Sequence, residues 1–566
     1  MFHRWLPIVS QLEGYDRHRL RADLLAGLTV GVMLIPQGMA YALIAGVPPI
    51  YGLYASLVPL VVYALLGTSR HLAVGPVALV SFLVAAAVAP LADGDPQRYV
   101  VLTWLLASMV GVLQIAMGLL RFGFLTNFLS HPVLAGFTSA AALIIGASQL
   151  GHLLGIDLPR SSHLHEILTA IAGQLGSIHV LTLIAGIAGI IVLVSVRRIT
   201  PAFPGALVVV GLSTLLVWAF GLHEADMRIV GTVPGGLPAP VVPALWDVQA
   251  MWALLPVALT IALVGFMESL AVAKLYATRH RYDVSANHEL VGLGAANLAG
   301  AFFQSFPVTG GFSRTAVNAQ AGARTALAGV FSAGVIALTL LFLTDLFYYL
   351  PNAALAAIVL VAVSNLLDWK EAHHLWRTDR RDFAMFAVTF AATLAVGIEA
   401  GILVGVLASL TALVYASSRP HAAVCGRIPG TRIYRNIERH PEVEILPEVT
   451  VFRIDATLSF VNAAFVRDRV RHLVENGPPP YGFVFDFHAV NGVDSTALHQ
   501  LEQVVQLLRE KGIEPYFAGV KGPVMDRFRS VGLDQCIGTD HFHLEVASAV
   551  EAARARIHAL PNPSIV

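Results

Sequence analysis

From Leu24 to about Ala416 the chain is a succession of apolar runs of membrane-spanning length, or close to it, separated by short polar connections. The runs fall at 24–45, 50–66, 75–90, 99–119, 132–150, 179–196, 204–221, 251–273, 287–304, 312–321, 325–344, 353–366, 382–397 and 398–416, about fourteen segments. The third and tenth are of half length, and each opens on a break. One break is Gly75-Pro76-Val77-Ala78; the other is Phe306-Pro307-Val308-Thr309-Gly310-Gly311-Phe312-Ser313-Arg314. Irregular backbone at membrane depth is tolerated only where protein buries it or a watered cavity adjoins it. The two breaks hold equivalent places if the chain is two copies of seven segments, and an odd number per copy makes the repeat inverted. Such paired interruptions point to the substrate site of a transporter. A helix starting near Phe312 has Thr309 or Gly310 close to its cap and free N–H groups in its first turn, which suits an anion.

The connections set the expected orientation. Those after even segments carry Arg70, Arg121, Arg197, Arg198, Lys274, Arg279, Arg281, Arg324, Lys370, Arg377, Arg380 and Arg381; those after odd segments carry chiefly Arg98, Arg160 and Arg228. The excess of positive charge on one side puts both termini in the cytoplasm, in a cell inner (plasma) membrane. Residues 1–23 mix charge with scattered apolar positions and lack a cleavable signal; they read as a short amphipathic cytoplasmic helix. Beyond Ala416 a polar linker, 417–447, leads to an α/β domain at 448–566. Strands are expected near Val449–Ile454, Phe483–Phe487 and Pro515–Val520, and helices near Val461–Glu475, Ser495–Lys511, Pro523–Val531 and His541–Ala559.

Composition narrows the function. Hydrophobic residues make up 56% and charged residues 13%, so this is a polytopic α-helical membrane protein with a soluble tail. The formal net charge of zero gives no reason to expect nucleic acid. Two cysteines, Cys425 and Cys536, cannot build a disulfide framework or a thiolate metal site. With no phosphate-binding loop for ATP and no nucleophile, metal or cofactor constellation, an enzyme is not expected.

Several stretches resemble a known family. Pro49-Ile50-Tyr51-Gly52-Leu53-Tyr54-Ala55-Ser56, continuing to Gly67-Thr68-Ser69-Arg70, looks like the signature of the sulfate permease (SulP) anion transporters. Pro36-Gln37-Gly38-Met39-Ala40-Tyr41-Ala42 resembles the family's first-helix motif, and Phe312-Ser313-Arg314-Thr315-Ala316-Val317-Asn318 its tenth-helix motif. The tail resembles the family's STAS domain through Val484-Phe485-Asp486-Phe487 and Asp494-Ser495-Thr496. The resemblance implies a seven-plus-seven inverted repeat with core and gate domains, helices five to seven and twelve to fourteen forming the gate. It also implies a homodimer, an elevator-like movement, and a small anion held between the N-termini of helices three and ten. By motif position the site draws on Gln37, Tyr41, Val77, Ala78, Thr309, Gly311, Phe312, Ser313 and Arg314. Helix capping is the plainer reading of Thr309 and Ser313, and a bond to another helix that of Gln37. Arg314 could face the anion, pair with a carboxylate, or snorkel to the cytoplasm.

Glu268 is the one carboxylate well inside a spanning segment of the first ten, where a charge costs roughly 2.5–3.5 kcal/mol on insertion scales. Desolvation favours the neutral form of a carboxyl group, which makes Glu268 the candidate proton site. Relatives that use sodium carry an aspartate and nearby hydroxyls here; Val272 stands where a hydroxyl would be. A permanent Glu268–Arg314 ion pair is the structural alternative, and Glu399 a weaker rival for coupling. Glu289 looks like a capping or gating residue, and His71, His131 and His288 like polar anchors. Asp494-Ser495 reads as a helix cap, with phosphorylation of Ser495 and a regulatory protein at the STAS domain as further expectations. The resemblance favours proton-coupled sulfate symport; bicarbonate, chloride or a C4-dicarboxylate, or a channel-like conductance, are the alternatives.

Overall fold

The computed structural model describes residues 6–127, 130–158, 161, 163–199, 205–476 and 480–559, with backbone alone at 125–127, 398–399 and 557–559. Arg160 and the Glu399 side chain lie outside the described residues. Two compact units divide the chain, Met1–Ser409 and Leu410–Val566.

Every expected apolar run has a helix. In chain order they are Arg17–Ala45, Pro49–Tyr54 followed by Val58–Leu66, Ala78–Ala92, Pro96–Leu119, His131–Leu154, Val180–Ile199, Gly205–Ala219, Val248–His280, Ala286–Phe302, Phe312–Gln320, Leu327–Phe342, Asn352–Ser364, Arg380–Val396 and Ile398–Ser418. Among the described residues eight helices are long and apolar enough to cross a membrane on that ground alone. The third and tenth, at 15 and 9 residues, are the half-helices.

The first helix begins earlier than its apolar run, because the Asp16 carboxylate caps it by accepting from the Arg19 N–H at 2.8 Å. The expected single amphipathic helix over 1–23 is therefore replaced by a short one, Pro7–Gln11, and by the first turns of the spanning helix. Asp23 is buried there because it has partners: its carboxylate accepts from the Arg324 N–H (2.6 Å) and the Thr325 hydroxyl (2.6 Å). This ties the first helix to the start of the eleventh. Glycines bring helices together where side chains would hold them apart. A Cβ on Gly52 would lie 1.9 Å from the Gly38 carbonyl oxygen, so the first and second helices meet backbone to backbone.

The second unit holds a six-stranded sheet. Its strands are β3 (Ala422–Arg427), β4 (Tyr434–Asn436), β5 (Val449–Ile454), β6 (Gly482–Asp486), β7 (Glu514–Ala518) and β8 (Phe542–His543), in the order β4-β3-β5-β6-β7-β8. From β5 to β8 the pairing is parallel; β3 pairs antiparallel with β4 and β5. Phe452, Phe483, Phe485 and Phe517 cover one face with helices Ala463–Asn476 and Ser495–Glu510, while Val451, Val484 and Tyr516 meet helix Val546–Ala559 on the other. The stretch expected as a linker, 417–447, thus contributes two strands. Only β4, three residues long, lies at the sheet margin; β3 is paired on both sides, between β4 and β5. The Asp494 carboxylate caps the Ser495 helix through the Ala497 N–H (2.8 Å) and also accepts from the Phe460 N–H (2.7 Å), while Ser495 itself is exposed.

Candidate functional site

The two breaks meet. Val74–Gly75 (β1) pairs antiparallel with Thr309–Gly310 (β2), Val74 opposite Gly310 and Gly75 opposite Thr309. A further bond runs from the Gly311 N–H to the Ala73 carbonyl at 3.1 Å. The half-helices leave from opposite ends of this two-residue ladder. Val77 is the N-cap residue of Ala78–Ala92 and Gly311 that of Phe312–Gln320, and neither cap is closed by a side chain. First-turn N–H groups without side-chain caps, on two helices, combine partial positive charge with unfilled donors.

Three neighbouring helices fix the ladder. From Val248–His280, the Ser269 hydroxyl lies 2.6 Å from the Thr309 hydroxyl and accepts from the Gly310 N–H at 2.8 Å; Thr309 in turn donates to the Gly265 carbonyl at 2.6 Å. Asn297, on Ala286–Phe302, accepts from the Val308 N–H at 2.8 Å and donates to the Val308 carbonyl at 3.0 Å. It also donates to the Gln114 amide oxygen of Pro96–Leu119 at 3.1 Å. On the tenth helix, the Thr315 hydroxyl accepts from the Ala73 N–H, and Asn318 donates to the His71 carbonyl at 2.8 Å. Glu289 is fully buried and clamps the connection before β1: it accepts from the Tyr63 hydroxyl (2.6 Å), the Thr68 N–H (2.7 Å) and hydroxyl (2.6 Å), and the Ser69 N–H (3.2 Å).

Arg314 lies inside this frame, 2% exposed, and its Nη1 donates to the Pro76 carbonyl at 2.6 Å. It therefore bridges one half-helix to the break that opens the other. It does not snorkel, and among the described residues no carboxylate lies within ion-pair distance of it. The alternative of a permanent Glu268–Arg314 ion pair is not what the structure holds; the guanidinium is drawn to a carbonyl freed by Pro76 instead. Its Nε and Nη2 and the Glu268 Oε2 are buried and unpartnered among the described residues, as is the Ser81 hydroxyl on the third helix. Gly311 admits the guanidinium, since a Cβ there would lie 2.8 Å from Arg314 Cζ.

The expected residues divide by what they touch. Gln37 and Tyr41 stand one turn apart on the first helix, both buried, and the Gln37 amide has no hydrogen bond among the described residues. Ser313 and Phe312 are exposed at the open start of the tenth helix, Phe312 by 53%. Neither Ser313 nor Thr309 acts as a cap, and the Thr309 hydroxyl is taken up by the eighth helix. Asn297 and Gln114 went unnoticed in the sequence, where Ser81 and Ser269 had no role assigned. A lone amide in an apolar run was the available signal for Asn297 and Gln114.

The family model of the sulfate permease family matches residues 20–389, and that of the STAS domain residues 440–549. A probable sulfate transporter 4.2 of Arabidopsis thaliana is 37% identical, across 100% of this chain and 86% of its own. A probable sulfate transporter of Mycobacterium tuberculosis is also 37% identical, over 98% of both chains. Among solved structures, the murine Solute Carrier 26 member A9 anion transporter in its inward-facing state superposes with TM-score 0.91 at 26% identity, over 97% of this chain and 94% of that one. The transmembrane domain of the cyanobacterial bicarbonate transporter BicA gives 0.61 at 25%, over 70% and 98%. With both halves of the pattern matched, membrane unit and tail, the chain belongs to the sulfate permease family of anion transporters and carries that family's STAS domain.

Proposed function

We propose that the protein is a secondary active sulfate transporter driven by protons. The observation that carries this reading is the β1–β2 ladder with its two uncapped half-helices and the buried Arg314 between them. Two helix N-termini supply roughly half a positive charge each, and Arg314 a whole one, enough to balance a divalent oxyanion. Backbone N–H groups of Val77, Ala78, Phe312 and Ser313, with the Gln37 amide and the Tyr41 hydroxyl, are the donors offered to sulfate. Gly311 keeps the guanidinium near without side-chain interference, and Thr309 holds the break in place. The names of the plant and mycobacterial relatives support sulfate.

Glu268 is the proton carrier in this reading. Its Oε2 has no hydrogen-bond partner among the described residues, so a proton arriving with the anion keeps the loaded site closer to neutral. The core would then move as one piece past a gate of helices five to seven and twelve to fourteen, in a homodimer with both termini in the cytoplasm of a plasma-membrane protein. Matching half-helices in the two halves support an inverted repeat and such alternating access. The STAS domain, with Ser495 exposed at a helix start, is the proposed contact for a regulatory protein.

Labelled sulfate uptake into proteoliposomes, with and without an inward proton gradient, tests both claims. Wild type should be stimulated by the gradient, and Glu268→Gln should lose that stimulation while still binding sulfate. Bicarbonate transport without sulfate transport would replace the substrate, a reading that the likeness to BicA favours second. An unchanged response in Glu268→Gln would return this residue to a structural role.

A further inference from the structure

The membrane unit carries a second basic feature that the transport site does not use. Helices Val180–Ile199 and Asn352–Ser364 lie side by side, and between their C-terminal ends runs a groove of about 480 Å³. Its walls are apolar, from Ile190, Val194, Leu360 and Val361, and Arg197, Arg198 and Ser364 line it towards the helix C-termini. The outer side of Val180–Ile199 is lipid-like in its exposure: Ile184, Ile187 and Ile191 are 59%, 45% and 59% exposed. Arg197 spends one N–H on the Asn365 amide oxygen at 2.8 Å; Arg198 has no partner among the described residues.

We propose that this groove binds an anionic phospholipid of the cytoplasmic leaflet. Its phosphodiester would lie between Arg197 and Arg198, and one acyl chain would follow Ile190, Val194, Leu360 and Val361. An arginine pair attracts a phosphate through planar, forked donors, and an apolar groove beneath it fits a hydrocarbon chain and no soluble anion. The two arginines also sit at a helix C-terminus, whose dipole favours positive charge. That role satisfies the charge without accounting for the groove leading away from it.

Native mass spectrometry of the full-length protein, exchanged into mixed phosphatidylglycerol and phosphatidylcholine, gives the direct test. Wild type should retain phosphatidylglycerol over phosphatidylcholine, and Arg197→Gln/Arg198→Gln should weaken that preference on the order of tenfold. A charge-matched change elsewhere on the same face, Arg377→Gln/Arg381→Gln, should leave it intact. Val194→Trp fills the groove without altering charge and should also lower retention, which keeps the test open if the double arginine variant folds poorly. Equal retention of the two lipids by wild type, equal losses in both double variants, or full displacement by glycerol 3-phosphate would overturn the assignment.

Discussion

Replacing Asn297 by alanine tests whether the break before the tenth helix is held from outside. The change removes three interactions made across elements, two to the Val308 backbone and one to Gln114, at a site 1% exposed. Interhelical hydrogen bonds in membranes average about 0.6 kcal/mol and reach about 1.7, so three amount to roughly 2 kcal/mol and at most about 5. If that energy holds β2 and the tenth half-helix in their binding arrangement, about 2 kcal/mol raises the KM for sulfate on the order of thirtyfold. Proteoliposome uptake over a range of sulfate concentrations measures KM, and thermal melting in detergent measures the stability component. Asn297→Asp is the useful companion. It keeps an acceptor for the Val308 N–H but turns a buried carboxylate oxygen towards the Gln114 and Val308 oxygens, so its KM should be at least as high as that of alanine. Wild-type KM and melting temperature in Asn297→Ala would show that the ladder needs no such support, and the reasoning fails there.

Other outcomes follow from the same framework. Glu289→Ala strands four donors and should abolish folded expression, whereas Glu289→Gln keeps an acceptor oxygen and should recover part of it, read by size-exclusion chromatography. Gly52→Ala places a methyl group 1.9 Å from a carbonyl and should separate the first two helices, with uptake lost even where protein is recovered. His71, in the connection ahead of β1, has its pKa lowered to about 4, chiefly by burial and next by the neighbouring His280. An unfolded histidine takes up a proton near pH 6.5, so the folded protein should lose stability as pH falls from there towards 4, by about 3 kcal/mol in total. His71→Gln should flatten that part of a melting-temperature profile. In the tail, Asp494→Ala should cost about 1 kcal/mol and speed hydrogen exchange at Ser495–Leu498 without changing uptake.

Spans, half-helices and tail were legible because length and hydropathy are properties of contiguous sequence. The breaks at Gly75-Pro76 and Pro307–Gly311 announced themselves for the same reason. What was not legible is what depends on partners distant in the chain, from 40 residues away at Thr309 to 238 at Arg314. Thr309 read as a cap or a ligand, and nothing local shows that Ser269 and Gly265 engage its hydroxyl. Arg314 had three open fates, and its actual partner is a backbone carbonyl, which leaves no mark in sequence. Glu289 was visible as a charge at a helix start, but its bonds to Tyr63, Thr68 and Ser69 come from the other half of the chain. The strand at 434–436 escaped notice because it is a three-residue edge strand, and the one at 422–427 because its Ala-Ala-Val-Cys-Gly-Arg run is poor in β-branched and aromatic residues.

The ladder also bears on how the protein is made. Its two strands are separated by more than two hundred residues, and neither can close without the other. While the first seven spans enter the bilayer, Val74 and Gly75 present N–H and carbonyl groups at membrane depth with no mate. The two breaks are thus joined only when the tenth segment arrives and supplies Thr309, Gly310 and the Arg314 bond to Pro76 together. A chain that stalls before that point holds an open polar seam inside the membrane, a feature that membrane quality control can recognise. Closing this seam and joining the two half-helices are, for this fold, one event, and it falls before the last four spans and the tail are made.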